Sequence, residues 1–139
     1  MAIPAVVRAP IGGGAPPRTQ IEKDARTEAQ RKLDSQLLYE IYRRRGEAAQ
    51  KGVPPGATDV KIDAHGRALV DVRAPVTARL QKAIRRAGGT VLSTSRAHDS
   101  TIARIPLLKL ESIAADPAVR AIVPAAEGVT ARELERGAR

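Results

Sequence analysis

Ala68-Leu69-Val70-Asp71-Val72, closed off by Pro75, is the stretch on which the fold turns, because the apolar period changes on both sides of it. A short, nearly continuous apolar run bounded by proline reads as a strand. After it, Val76, Leu80, Ala83, Ile84 and Ala87 mark one face of a helix, with Thr77 near its start and Gly88-Gly89 as its stop. Thr90-Val91-Leu92-Ser93-Thr94-Ser95 returns to strand character, Arg96 to Asp99 is a polar turn, and Thr101-Ile102-Ala103-Arg104-Ile105 is the returning strand. Pro106 opens a second helix, Leu107 to Ala115, since proline is tolerated in a first helical turn. Asp116-Pro117 closes that helix, and Ala118-Val119-Arg120-Ala121-Ile122-Val123 is the last strand.

The order is strand, helix, strand, strand, helix, strand. Ahead of it the period is two: Val60 and Ile62 alternate with polar neighbours, and Asp63-Ala64-His65-Gly66 supplies turn chemistry, so a leading strand pairs with the first as a β-hairpin. The predicted fold class is therefore α+β: a ferredoxin-like split βαβ (βαββαβ) antiparallel sheet with two helices on one face, plus an extra leading strand and an N-terminal helical extension. Both crossovers place a helix on the same side, which leaves the opposite sheet face open to solvent or a partner.

Working toward the N-terminus, Lys51-Gly52-Val53-Pro54-Pro55-Gly56 interrupts everything, because Gly releases a helix end and Pro cannot continue it. Residues 52–57 are read as a linker and 58–126 as the α+β domain. Residues 19–51 form the helical extension: Leu33, Leu37 and Ile41 recur every four residues beside Leu38 and Tyr42. Thr19-Gln20-Ile21-Glu22 has capping-box form, and Asp34-Ser35 is a second helix start, which would make Thr19 to Lys32 a separate polar helix. Residues 1–18, with Pro4, Pro10, Pro16 and Pro17 around Gly12-Gly13-Gly14, read as a flexible arm, and 127–139 as a C-terminal tail.

Composition narrows the function. Hydrophobic residues make up 42%, yet Phe and Trp are absent and Tyr occurs twice, so the core is built of Leu, Ile, Val and Ala. The net charge of +9, from 24 Lys and Arg against 15 Asp and Glu, suits acidic partners such as nucleic acid, an anionic membrane or an acidic protein surface, and is equally the charge of a solvated Arg-rich surface with no such partner. Base-stacking platforms need exposed rings, which a 1% aromatic content hardly supplies, so nucleic acid is a second choice. Cysteine is absent, which removes disulfides, thiolate chemistry and Cys-based zinc sites. No apolar run approaches the roughly 18 residues that span a bilayer, and Met1 to Ala15 lacks the charged-then-apolar order of a signal peptide. A soluble chain with no membrane partner is expected.

Catalytic or cofactor chemistry finds no foothold. His65 and His98 both fall in predicted turns, without a carboxylate or second histidine at ligand spacing, so no metal site is expected. Gly12-Gly13-Gly14 lacks the lysine and hydroxyl residue of a phosphate loop, and Gly88-Gly89 follows a helix rather than opening one. Arg43-Arg44-Arg45 could engage phosphates, but cations in a last helical turn also complement the dipole. The chain is read as a binding module without enzymatic activity, cofactor or small-molecule substrate.

The same residues resemble a known family. Ala68 to Arg73, Leu80 to Ile84 before Gly88-Gly89-Thr90-Val91, Ile102 to Leu107 with Leu110-Glu111-Ser112-Ile113-Ala114, and Asp116-Pro117-Ala118-Val119-Arg120-Ala121-Ile122 are, in order and spacing, similar to the propeptide of subtilisin-like serine proteases. Lys32 to Leu38 is similar to a helix that precedes this module in large bacterial subtilases. The resemblance implies that the chain binds a subtilisin-like protease, in cis or in trans, as a folding chaperone and as an inhibitor whose tail occupies the active-site cleft. It also implies a secreted or periplasmic location within a protease precursor, while the lack of a signal-peptide pattern leaves a cytoplasmic one open. Laid against the family pattern, Val129, Thr130, Ala131 and Arg132 fall where the tail enters the cleft, with Arg132 before the scissile bond. The Ser95 to Ser100 loop is expected to meet the partner, with Asp99 accepting amides at a partner helix N-terminus. The alternatives are an assembly module whose open sheet dimerises, and a basic binder of nucleic acid or another anionic surface.

Overall fold

The computed structural model describes residues 18–126. Four short helices come first: α1 (Arg18–Asp24), α2 (Glu28–Arg31), α3 (Ser35–Arg45) and α4 (Ala48–Lys51). They are followed by β1 (Arg67–Arg73), α5 (Ala78–Arg86), β2 (Thr90–Ser95), β3 (Ser100–Pro106), a 3-10 turn at Leu107–Lys109, α6 (Leu110–Ala114) and β4 (Ala121–Pro124). The sheet order is β2-β3-β1-β4, with every neighbouring pair antiparallel. The molecule is thus an α+β fold on a four-stranded antiparallel sheet.

Strand alternation decides which side chains meet the helices. Ala68, Val70 and Val72 of β1, Ala103 and Ile105 of β3 and Ile122 of β4 share one core cluster with Leu37, Leu38, Ile41 and Tyr42 of α3, Leu80 and Ile84 of α5, and Leu110 and Ile113 of α6. The α3 stripe expected from the sequence is thus part of the same core as the sheet. Ala68 lies opposite Ile105 and Ala103 opposite Val70, so each small residue faces a larger one, and Tyr42, 1% exposed, is the largest fully buried side chain among the described residues. Among the described residues no helix is long and apolar enough to cross a membrane.

Local chemistry places the ends of these elements. Thr77 Oγ1 accepts from the Leu80 amide, capping α5, and Gly88 follows in the left-handed conformation at φ 93°. Asp34 Oδ1 accepts from the Gln36 amide at 2.9 Å and starts α3, which Gly46 ends at φ 74°. The expected capping box at Thr19 to Glu22 is corrected. Helix α1 begins at Arg18, and Glu22 is committed to Arg26 and Tyr42. The capping box lies one helix later, where Gln30 N donates to Thr27 Oγ1 at 3.1 Å and Thr27 N to Gln30 Oε1 at 2.9 Å.

Two strand expectations also need correction. The leading strand is a single β-bridge, Ile62 to Ala68, flanked by the Asp63 N to Arg67 O and Leu69 N to Lys61 O bonds. It does not extend backward because β4 takes that same edge of β1 from Val70 onward and Ala125 N already donates to Leu69 O, so Asp59 N turns to Gln36 Oε1 and Val60 N to Thr58 Oγ1. The last strand begins at Ala121, three residues later than expected. Ala118 N and Val119 N are drawn into the turn by Asp116, at 2.9 Å to its carboxylate and 3.0 Å to its carbonyl.

The outer edge of β4 is covered by the extension. Asp34 N donates to Ile122 O at 2.9 Å and Ile122 N to Lys32 O at 2.9 Å, so Leu33 forms a parallel bridge to Ile122. Among the described residues the opposite edge strand, β2, pairs only with β3. A bulge between Val91 and Ser93 pushes Leu92 out to 44% exposure.

Candidate functional site

The sheet face turned away from the helices is set by the strand registers. Asp71 faces Ile102, Leu69 faces Arg104, Arg73 faces Ser100, and Ser93 of β2 faces Ile102 from the other side. The centre of this face is apolar and closed to solvent: Leu69 is 3%, Ile102 1% and Ala125 7% exposed, and they form a second, smaller cluster. That differs from the bare face expected from helix placement alone. Ala125 reaches it because its amide donates to Leu69 O at 3.0 Å, which carries the β1–β4 register one residue past Pro124 and sets Ala125 beside Leu69.

Polar groups ring this cluster. Ser100 Oγ donates to Asp71 Oδ1 at 2.6 Å, while Arg73 Nε donates to Asp71 Oδ2 at 3.1 Å. Ser93 is buried, and its hydroxyl has no hydrogen-bond partner among the described residues. A buried hydroxyl without a partner forfeits about 1–3 kcal/mol that a suitable acceptor would restore. A hollow of about 560 Å³ opens where the chain leaves the sheet, between Asp34, Asp59, Lys61 and Pro124 to Ala126.

Asp99 sits at the tip of the β2–β3 hairpin, in the left-handed conformation at φ 48°, which Asp tolerates better than most residues. Its carbonyl accepts from the Ala74 amide at 2.9 Å, fixing the tip against the start of the α5 crossover. Its Oδ2 accepts from Arg120 at 3.3 Å, and Oδ1 has no partner among the described residues. The side chain keeps 40% exposure, so the carboxylate stays within reach of an incoming donor. Sequence reading singled out Asp99 but not Arg120, which lies in the turn before β4 and carries no local sign of this pairing. Val129, Thr130, Ala131 and Arg132 lie outside the described residues.

A further cluster escaped the sequence reading. Glu22, 3% exposed, accepts from Arg26 Nε at 2.7 Å, from Arg26 Nη2 at 2.9 Å and from the Tyr42 hydroxyl at 2.7 Å. Burial pushes the Glu22 carboxyl up, but the Arg26 and Tyr42 hydrogen bonds and the Arg26 and Lys51 charges outweigh it and hold the group below its ordinary value. Burial raises the Tyr42 phenol, and the bond to Glu22 raises it further. All the groups are engaged with one another, so the cluster ties α1 to α3 and presents no free nucleophile or base. Among the described residues no group of three or more His, Asp or Glu could hold a metal ion. No protein-family model matches the chain, and neither a curated protein nor a solved structure provides a match.

Proposed function

We propose that the chain is a non-enzymatic module with a ferredoxin-like split βαβ fold that binds a subtilisin-like serine protease, as folding chaperone and as inhibitor. The observation that carries this reading is the sheet order β2-β3-β1-β4. Two interleaved strand-helix-strand crossovers in one antiparallel sheet gather α5 and α6 on the side that α3 also covers and release the chain at Ala126 beside the other. The resemblance of residues 58–126 to the propeptide of subtilisin-like proteases supports this choice of partner. A module that binds only the folded form of a slow-folding protease shifts that protease toward its native state. Residues 129–132, extended in the cleft, would add main-chain hydrogen bonds to the substrate-binding strands, with Val129 and Arg132 in side-chain pockets.

The reading is tested by titrating the chain against a subtilisin-like protease and following peptide hydrolysis. The full chain inhibits. Removing residues 127–139 weakens inhibition at least tenfold, about 1.4 kcal/mol, while the far-ultraviolet dichroism stays that of the parent. Undiminished inhibition by the shortened chain would overturn the tail mechanism, and absence of inhibition by the full chain, or peptide turnover by the chain alone, would overturn the reading as a whole.

A further inference from the structure

From Val72 to His98 the chain contains no Asp or Glu, yet it carries Arg73, Arg79, Lys82, Arg85, Arg86 and Arg96. This stretch builds α5 and β2, which pack against each other at the side of the molecule away from β4. On α5, Leu80 and Ile84 face the core, and Arg79, Lys82, Arg85 and Arg86 are all exposed. Lys82 stands three residues from Arg79 and Arg85 and four from Arg86, so like charges neighbour one another along the helix. Each such pair costs a few tenths of a kcal/mol in an isolated helix, roughly 0.2–0.5. Little relieves them. Arg79 meets Asp116 at 3.4 Å and Arg85 touches the Gln81 side chain at 3.5 Å, while Lys82 and Arg86 have no ion-pair partner among the described residues. Beside this row lies the outer edge of β2, unpaired among the described residues, whose Thr94 is exposed.

The surroundings select among anionic partners. Insertion into a membrane needs several large apolar side chains beside the cations, whereas the outer face of α5 adds only Ala78 and β2 a single one, Leu92. Single-stranded nucleic acid is held by exposed rings; Phe and Trp are absent, Tyr42 is buried and Tyr39 is partly buried. What remains is a rigid row of cations, running about 10 Å from Arg79 to Arg86 at 1.5 Å per residue, facing regularly spaced charge. We infer that the α5–β2 side binds the phosphate backbone of a double-stranded nucleic acid, without reading its sequence. This inference does not rest on the protease reading: the α5 cations lie on the helix side of the sheet, although the neighbouring β2 runs into the Ser95 to Ser100 loop which that reading uses.

The experiment is a fluorescence-anisotropy titration of the full chain against a labelled DNA duplex of about 20 base pairs, two helical turns, at several salt concentrations. Four phosphate contacts give a slope of log affinity against log salt of about −3.6. Lys82→Gln with Arg86→Gln reduces the magnitude of the slope by about 2 and weakens binding at low salt at least tenfold, and Arg79→Gln with Arg85→Gln behaves alike. Lys23→Gln with Arg31→Gln, on α1 and α2, leaves slope and affinity unchanged. Three outcomes would overturn the inference: no measurable duplex binding at low salt, a slope indifferent to both α5 pairs, or binding to phosphatidylserine vesicles without binding to the duplex.

Discussion

Glu22 carries a negative charge into a site that is 97% closed, and it stays charged because three donors converge on it. Hydrogen bonds to a charged group contribute about 1.5–3 kcal/mol each when both partners are held. The folded carboxyl lies below its ordinary value of 4.5. A depressed folded value means that the stabilisation is fully present above the unfolded value and is lost as pH falls through the folded one. Glu22→Gln should therefore be less stable than the parent near neutral pH, by about 2 kcal/mol, and the gap should close in acid. Thermal melts of both chains between neutral and strongly acidic pH check this, and the difference between them removes the shared contributions of Asp63 and Glu111, which are also held low. A gap independent of pH would show that Glu22 acts through packing alone. None of this was legible in Thr19-Gln20-Ile21-Glu22, because a capping glutamate and a buried one look alike until Tyr42, twenty residues on, is seen to point at it.

Among the elements, α3 has the clearest division of labour. Asp34 starts it by accepting from Gln36 N, and the same residue's amide holds the Ile122 carbonyl, so one position both caps a helix and closes a sheet edge. Asp34→Ala leaves the main-chain bond in place and removes only the cap, and the expected loss is about 1 kcal/mol, read as a lower urea midpoint with unchanged slope. A loss of several kcal/mol would mean that the carboxylate also holds the edge. Cap residues such as Asp34 and Thr77 were readable from the sequence because their partners lie within three positions. The same holds for Gly88-Gly89 and for the alternation of β1. The stretch before Ile62 does not form the expected strand for the opposite reason: the edge of β1 that it needs is taken by β4, far along the chain, and no local pattern announces that. At the candidate site, Asp99 was found because a turn aspartate is conspicuous, whereas Arg120, Ser93 and Ser100 become noticeable only when the registers of β1, β2 and β3 are set side by side.

For the molecule as a whole, the two edges of the sheet are managed differently. β2 is broken by its bulge, a common guard against pairing with another chain. β4 has no bulge and relies on Lys32 to Asp34 lying along it. Removing residues 1–33 should thus expose a bare strand edge together with the apolar site left by Leu33, which is 3% exposed in place. Sedimentation velocity should then show self-association, while a chain lacking only residues 1–17 stays as the parent does. A monomeric chain after the longer deletion would mean that β4 is guarded by something other than the extension. The bridge between Leu33 and Ile122 also imposes an order in time. Its two halves lie near opposite ends of the described chain, and a chain made from the N-terminus exposes residue 33 long before residue 122 exists. Until then α3 has its cap and its apolar stripe but lacks both the strand edge and most of the core it will cover. During synthesis the extension must wait, and a factor that recognises its uncovered Leu37, Leu38 and Ile41 would have that interval, and no later one, in which to act.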